Sequence, residues 1–134
     1  MGSMPDNQIE SRFHRGWLVA SLVCLIAVLT LTHIPQDAMP KFLQEDMLDK
    51  VEHAGAYGLI AILFLLSLPN RGRSGLPALG LLALAGIAAF DEATQPLVNR
   101  YASFGDYAAD LAGILLACMI FLVKKRLRLD TAAS

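Results

Sequence analysis

The chain has 134 residues, which suits a single domain, and its formal net charge is -1. Hydrophobic residues make up 55% of it and charged residues 17%, whereas soluble domains are about 45–50% apolar and about 25% charged. This composition indicates a membrane protein and gives no basic surface for nucleic acid. Cys24 and Cys118 lie inside apolar runs, so a disulfide framework is not indicated.

Four apolar runs dominate the sequence, and each is apolar around its whole circumference, unlike an amphipathic surface helix. At 13–15 residues they are shorter than the roughly 20 residues that a membrane-spanning helix needs. A soluble bundle of buried helices is the alternative, but 134 residues cannot supply enough polar helix to cover them. We therefore expect an all-α integral membrane four-helix bundle whose spans are completed by polar ends. The runs are Trp17–Leu31, Ala54–Leu68, Leu76–Phe90 and Leu111–Val123, and the polar ends are Asp49–His53, Asp91–Gln95 and Asp106–Asp110.

Basic residues predict the orientation of these spans. Eight Lys and Arg residues lie before the first run, in the middle loop and after the last run, against three in the other two connections. By the positive-inside rule both termini are cytoplasmic. We expect residues 1–16 to be a cytoplasmic tail (1–3 an expression remnant), 17–123 the membrane domain and 124–134 a basic cytoplasmic tail. Arg12 and Arg15 followed by the first apolar run have the order of charged and apolar regions found in a signal peptide. Residues 30–35 lack a cleavage site, so we expect this span to remain uncleaved.

The polar end of the second run places Asp49, His53 and Tyr57 on one helical face, at i, i+4 and i+8. Two readings are open. Asp49 and Glu52 fit a capping box, with Asp49 as N-cap, and His53 could be a hydrogen-bonded packing residue. Alternatively, the carboxylate and the phenol set the protonation of a functional imidazole.

The third and fourth runs have polar ends of the same kind. Asp91 and Gln95 share a helical face, and Pro96 ends the helix. Ser103 to Asp106 offers another helix start, whereas Asp110 lies one turn into the helix and needs a partner. Arg100, Lys50 and His53 are the candidates. Small residues at four-residue spacing identify the faces that pack inward: Ala54 and Gly58, Ala85 and Ala89, and Ala109, Gly113 and Ala117.

Three motifs in order resemble the VanZ-like family of small bacterial membrane proteins, which is named for teicoplanin resistance. They are Asp49-Lys50-x2-His53-x3-Tyr57, Asp91-Glu92-x2-Gln95-x4-Arg100 and Asp106-x3-Asp110-x2-Gly113. The resemblance covers about residues 33–123. It implies a multi-pass protein of the bacterial cytoplasmic membrane with a cell-envelope role, and it supplies no reaction. Where this chain has Asp110, the family pattern has Asn, so the site here is more acidic.

Three hypotheses follow for the polar residues. In the first, these residues bind an envelope lipid or a glycopeptide-related ligand. In the second, they catalyse hydrolysis or group transfer on a lipid headgroup, with or without a divalent cation. In the third, they form a structural latch of paired charges. In the catalytic hypothesis His53 is the base and Arg100 a phosphate clamp. The candidate catalytic residues are His53, Asp91 and Glu92. The candidate binding residues are Asp49, Lys50, Glu52, Tyr57, Gln95, Arg100, Asp106 and Asp110.

Overall fold

The computed structural model describes residues 14–38, 46–69 and 76–133. These residues form four α-helices and no strand, which confirms the all-α class. The helices are α1 (Arg15–Thr32), α2 (Asp46–Ser67), α3 (Leu76–Thr94) and α4 (Phe104–Ala133), with short 3₁₀ turns at Gln36–Ala38 and Gln95–Val98. The first thirteen residues of the predicted tail, and the basic residues Lys41, Arg71 and Arg73, lie outside the described residues.

All four helices are long and apolar enough to cross a membrane, with candidate spans of 18, 21, 23 and 24 residues. These lengths confirm that the polar ends are added helical turns: α2 contains Asp49–His53, α3 extends to Thr94, and α4 contains Asp106–Asp110. The chain therefore has the features of a multi-pass membrane protein.

Helix α2 is the centre of the bundle and packs against the other three helices, most extensively against α4. At one end of the bundle, the His14 N–H donates to the Ser67 carbonyl at 3.0 Å, so α1 and α2 run antiparallel. The apolar core lies where α2, α3 and α4 meet. It comprises Tyr57, Ile60, Ala61, Leu84, Ala88, Ile114 and Ala117.

The small residues predicted to face inward let α2 and α4 approach backbone to backbone. A Cβ added to Gly58 would lie 3.3 Å from the Gly113 carbonyl oxygen. A Cβ added to Gly113 would lie 2.9 Å from the Ala54 carbonyl carbon. Side chains at either position would hold the two helices apart. The close contact at these glycines therefore also sets the distance between α2 and α4 at the neighbouring turns.

The capping prediction for Asp49 is wrong, because α2 begins three residues earlier, at Asp46. Asp49 is therefore inside the first turn, and its side chain is available for contacts across the bundle. The predicted start of α4 is confirmed: the Asp106 N–H donates to Ser103 Oγ at 3.3 Å, as in an N-terminal cap.

Candidate functional site

The polar side chains gather at one end of the bundle, where α1 and α3 end and α2 and α4 begin. We call this group the polar cluster. Seven of the predicted site residues in it are buried, namely His53, Tyr57, Asp91, Glu92, Gln95, Asp106 and Asp110, and Asp49, Lys50 and Arg100 are half-buried. Burying a carboxylate is costly unless a charge or hydrogen bond compensates, so the partners of each group matter.

His53 is the central residue of the cluster and is 5% exposed. Its Nδ1 lies 2.9 Å from Asp110 Oδ1 and 3.9 Å from Glu92 Oε1. Its Nε2, on the other side of the ring, lies 3.9 Å from Asp49 Oδ1. The imidazole therefore has a carboxylate near each nitrogen, which orients the ring and stabilises positive charge on it.

Asp91 is fully buried and connects α3 to the end of α1. The Thr32 hydroxyl donates to Asp91 Oδ1 at 2.8 Å, and His33 Nδ1 lies 3.3 Å from the same oxygen. His33 Nε2 lies 3.0 Å from Thr94 Oγ1. These contacts join α1 to the cluster, although most of the α1 surface is exposed.

Glu92 is held by hydrogen bonds to both of its oxygens. Gln95 Nε2 donates to Oε1 at 3.1 Å, and the Ser103 backbone N–H donates to Oε2 at 2.9 Å. The 3₁₀ turn Gln95–Val98, with Pro96 near its start, and Asn99 in the left-handed region (φ 58°) lead the chain back toward Ser103. Pro96 and Asn99 thus reverse the chain so that residues 92 and 103 meet.

Two ion pairs lie at the outer side of the cluster. Arg100 Nη2 is 3.5 Å from Asp49 Oδ1, and Arg100 Nη1 donates to the Leu31 carbonyl at 3.5 Å. Lys50 Nζ is 3.7 Å from Asp106 Oδ1. Of the three predicted partners of Asp110, Arg100 and Lys50 pair with these two acids, and His53 is the one that contacts Asp110.

Four buried oxygens have no hydrogen-bond partner among the residues that the structure describes. They are Tyr57 Oη, Asp91 Oδ2, Asp106 Oδ1 and Asp110 Oδ2. The Tyr57 phenol faces the Asp91 carboxylate, and the charges of Asp110 and Glu92 also act on it. Buried polar atoms normally have hydrogen-bond partners. Asp106 Oδ1 is 3.7 Å from Lys50 Nζ, so the other three oxygens are the candidates for contact with a bound group.

Two groups of three side chains could hold a metal ion. One is His53, Glu92 and Asp110, all buried, and the other is Asp49, His53 and Asp106. In each group the ligand atoms lie within 4.8 Å of one another. The two groups share His53, whose two nitrogens face different carboxylates.

Glu52 is the predicted site residue that lies apart from the others. It is exposed, and it belongs to neither metal-binding group. The Glu52 side chain is exposed whereas that of His53 is buried, so the two side chains point in different directions. Conversely, sequence reasoning missed Thr32, His33, Thr94 and Ser103. Thr32 and His33 follow an apolar run, as the predicted site residues of α3 do, and this shared pattern was the available signal.

In comparisons with models of protein families, with curated proteins and with solved structures, no match to this chain was found. The VanZ-like resemblance therefore stays a prediction from the three sequence motifs.

Proposed function

We propose that this chain is a VanZ-like protein of the bacterial cytoplasmic membrane, with both termini in the cytoplasm. In this proposal the polar cluster faces outward, binds an envelope component and lowers susceptibility to teicoplanin. The family and orientation come from the sequence motifs and the distribution of basic residues. The binding role is carried by one observation: three buried oxygens in the cluster, Tyr57 Oη, Asp91 Oδ2 and Asp110 Oδ2, have no hydrogen-bond partner among the described residues.

A purely structural latch accounts for that observation less well. The described ion pairs join Asp49 to Arg100 and Asp106 to Lys50, and the imidazoles of His33 and His53 each contact at least one carboxylate. A latch built for stability would satisfy both oxygens of its most buried acids, since an unpaired buried oxygen is destabilising. Asp91 and Asp110, both 0% exposed, each leave one oxygen unpaired among the described residues. Retained polar groups of this kind inside a membrane are typical of functional sites.

The test is teicoplanin susceptibility of a sensitive Gram-positive host that expresses the chain. Wild type should raise the inhibitory concentration, and His53→Ala and Asp91→Asn should abolish the increase while the protein still inserts in the membrane. Glu52→Gln is the matched control, because Glu52 is a carboxylate next to His53 in sequence but exposed. Full activity of both cluster variants would show that the cluster is not the site, and an inactive wild type would contradict the susceptibility role itself.

A second candidate function is hydrolysis or transfer on a lipid or envelope headgroup. It is favoured by the position of His53: Asp110 holds Nδ1 at 2.9 Å, and Nε2, 3.9 Å from Asp49 and so beyond hydrogen-bond distance, is the nitrogen that can exchange a proton with a substrate. Arg100, at the outer side of the cluster, could hold a phosphate in place. Turnover of labelled envelope lipids by purified protein would test it: wild type should convert a lipid that His53→Gln leaves unchanged, whereas a pure binding protein would convert none.

A further inference from the structure

We propose that His53, Glu92 and Asp110 bind a divalent metal ion that accepts both nitrogen and oxygen ligands, such as Mn²⁺ or Zn²⁺. The inference deepens the proposed function and rests on it in one respect, because both require the polar cluster to be a binding site. It adds the chemical class of the bound partner and the residues that hold it.

The spacing of the donor atoms suits such an ion. In an octahedral shell with bonds of about 2.1 Å, ligand atoms lie about 3.0 Å apart when adjacent and about 4.2 Å apart when opposite. His53 Nδ1 is 2.9 Å from Asp110 Oδ1 and 3.9 Å from Glu92 Oε1, which falls close to this range. One imidazole with two carboxylates is a mixed donor set, less suited to Mg²⁺ or Ca²⁺ than an all-oxygen site.

A hydrogen bond between His53 and Asp110 would also give a separation of 2.9 Å, so a second observation is needed. Asp110 Oδ2, Asp91 Oδ2 and Tyr57 Oη are fully buried and lack a hydrogen-bond partner among the described residues. Tyr57 is not a member of the three-residue group, yet the charges of two of the group's carboxylates, Asp110 and Glu92, act on its phenol. A hydrated cation accounts for all three atoms, because its positive charge attracts the carboxylates and its water molecules donate to the remaining oxygens.

The surrounding residues hold the ligands as they do in known metal sites. Gln95 and the Ser103 backbone each donate to Glu92, which fixes the direction of its carboxylate. Asp49 lies 3.9 Å from His53 Nε2, the nitrogen that faces away from Glu92 and Asp110. Metal-binding histidines usually direct their second nitrogen at a carboxylate, which fixes the tautomer.

The other group of three, Asp49, His53 and Asp106, fits a cation less well. Arg100 is 3.5 Å from Asp49, and Lys50 is 3.7 Å from Asp106. Both cations would repel a divalent ion placed between these carboxylates. Asp49 is also only half-buried. The ion is therefore assigned to the inner group of three.

The experiment uses the full chain, purified in mild detergent, stripped with chelator and incubated separately with Zn²⁺, Mn²⁺ or Mg²⁺. Elemental analysis after desalting should find one equivalent of Zn²⁺ or Mn²⁺ per chain, and the same ion should raise the melting temperature. Glu92→Gln, which removes a charge and keeps the shape, should weaken binding at least tenfold. Glu52→Gln should match wild type. If Mn²⁺ binds, ¹⁴N coupling in its pulsed EPR spectrum should be present in wild type and absent in His53→Ala.

Two results would overturn the proposal: wild type that retains no ion and gains no thermal stability from any of the three, or a folded Glu92→Gln that binds as tightly as wild type. Asp110→Asn serves as a second variant, and loss of binding in a helical Asp110→Asn chain supports the site. The readout is independent of teicoplanin. If the chain binds metal but does not change teicoplanin susceptibility, the envelope proposal alone is contradicted. If the chain changes susceptibility but binds no metal, the metal site alone is contradicted.

Discussion

Replacing Gly113 with alanine would place a methyl group at the close approach of α2 and α4. The added Cβ would lie 2.9 Å from the Ala54 carbonyl carbon and 3.0 Å from the Gly58 nitrogen, and still closer to the Ala54 carbonyl oxygen. All of these are backbone atoms, so no side-chain rotation relieves the overlap and the helices must separate. Overpacking of this kind costs about 1–3 kcal/mol, while alanine gains up to about 1 kcal/mol in helix propensity. We expect a net loss of about 1–2 kcal/mol in the free energy of unfolding.

The measurement is reversible unfolding of the purified chain in mixed detergent micelles, followed by circular dichroism. Gly86→Ala is the matched control, because a Cβ there meets nothing within 4 Å and α3 should keep or gain stability. The same variant reports on the polar cluster. His53 precedes Ala54 in sequence, and Asp110 lies one turn before Gly113, so separating the helices lengthens the 2.9 Å contact between them.

Equal stability of Gly113→Ala and Gly86→Ala would refute this reasoning. It would mean that α2 and α4 are further apart than the structure has them, and the geometry of His53 and Asp110 would then lose its support.

Two further predictions concern the contact between α1 and α3 and the orientation in the membrane. Thr32→Val removes a hydrogen-bond donor to the buried Asp91 and should lower the free energy of unfolding by about 1–3 kcal/mol. Thr30→Val is the control and should cost much less, because the exposed Thr30 hydroxyl bonds within its own helix. Equal losses in an unfolding titration would contradict this prediction. In a background without the native cysteines, Tyr101→Cys should react with a membrane-impermeant maleimide in intact cells and Lys125→Cys should not, and the opposite labelling would reverse the predicted orientation.

Much of the fold could be predicted from the sequence because hydrocarbon length is a strong constraint. Runs of 13–15 apolar residues fall short of a bilayer, so adjacent polar residues had to be helical, and in α2, α3 and α4 they are. Helical periodicity also placed His53 and Tyr57 on one face, and both are buried. The start of α2 was wrong because a capping box is a local pattern, and the helix begins earlier, at Asp46.

The pairing of charges could not be obtained in this way. His53 and Asp110 are 57 residues apart in sequence, and Thr32 and Asp91 are 59 apart, so their contacts depend on which helices become neighbours. Local spacing carries no information about that choice. For Glu52, its place beside His53 in sequence did not show that its side chain would be exposed.

The length of α4 bears on how deep the polar cluster would lie in a membrane. Lys124, the first basic residue after the fourth apolar run, is fourteen positions after Asp110, which corresponds to about 21 Å of helix. For an upright α4 with Lys124 at one boundary of a hydrocarbon layer about 30 Å thick, Asp110 would lie about 9 Å below the opposite boundary. A water-soluble molecule would have to descend that distance, whereas a phospholipid's glycerol and phosphate already reside near that boundary. The membrane's own lipids would therefore have the shortest route to His53.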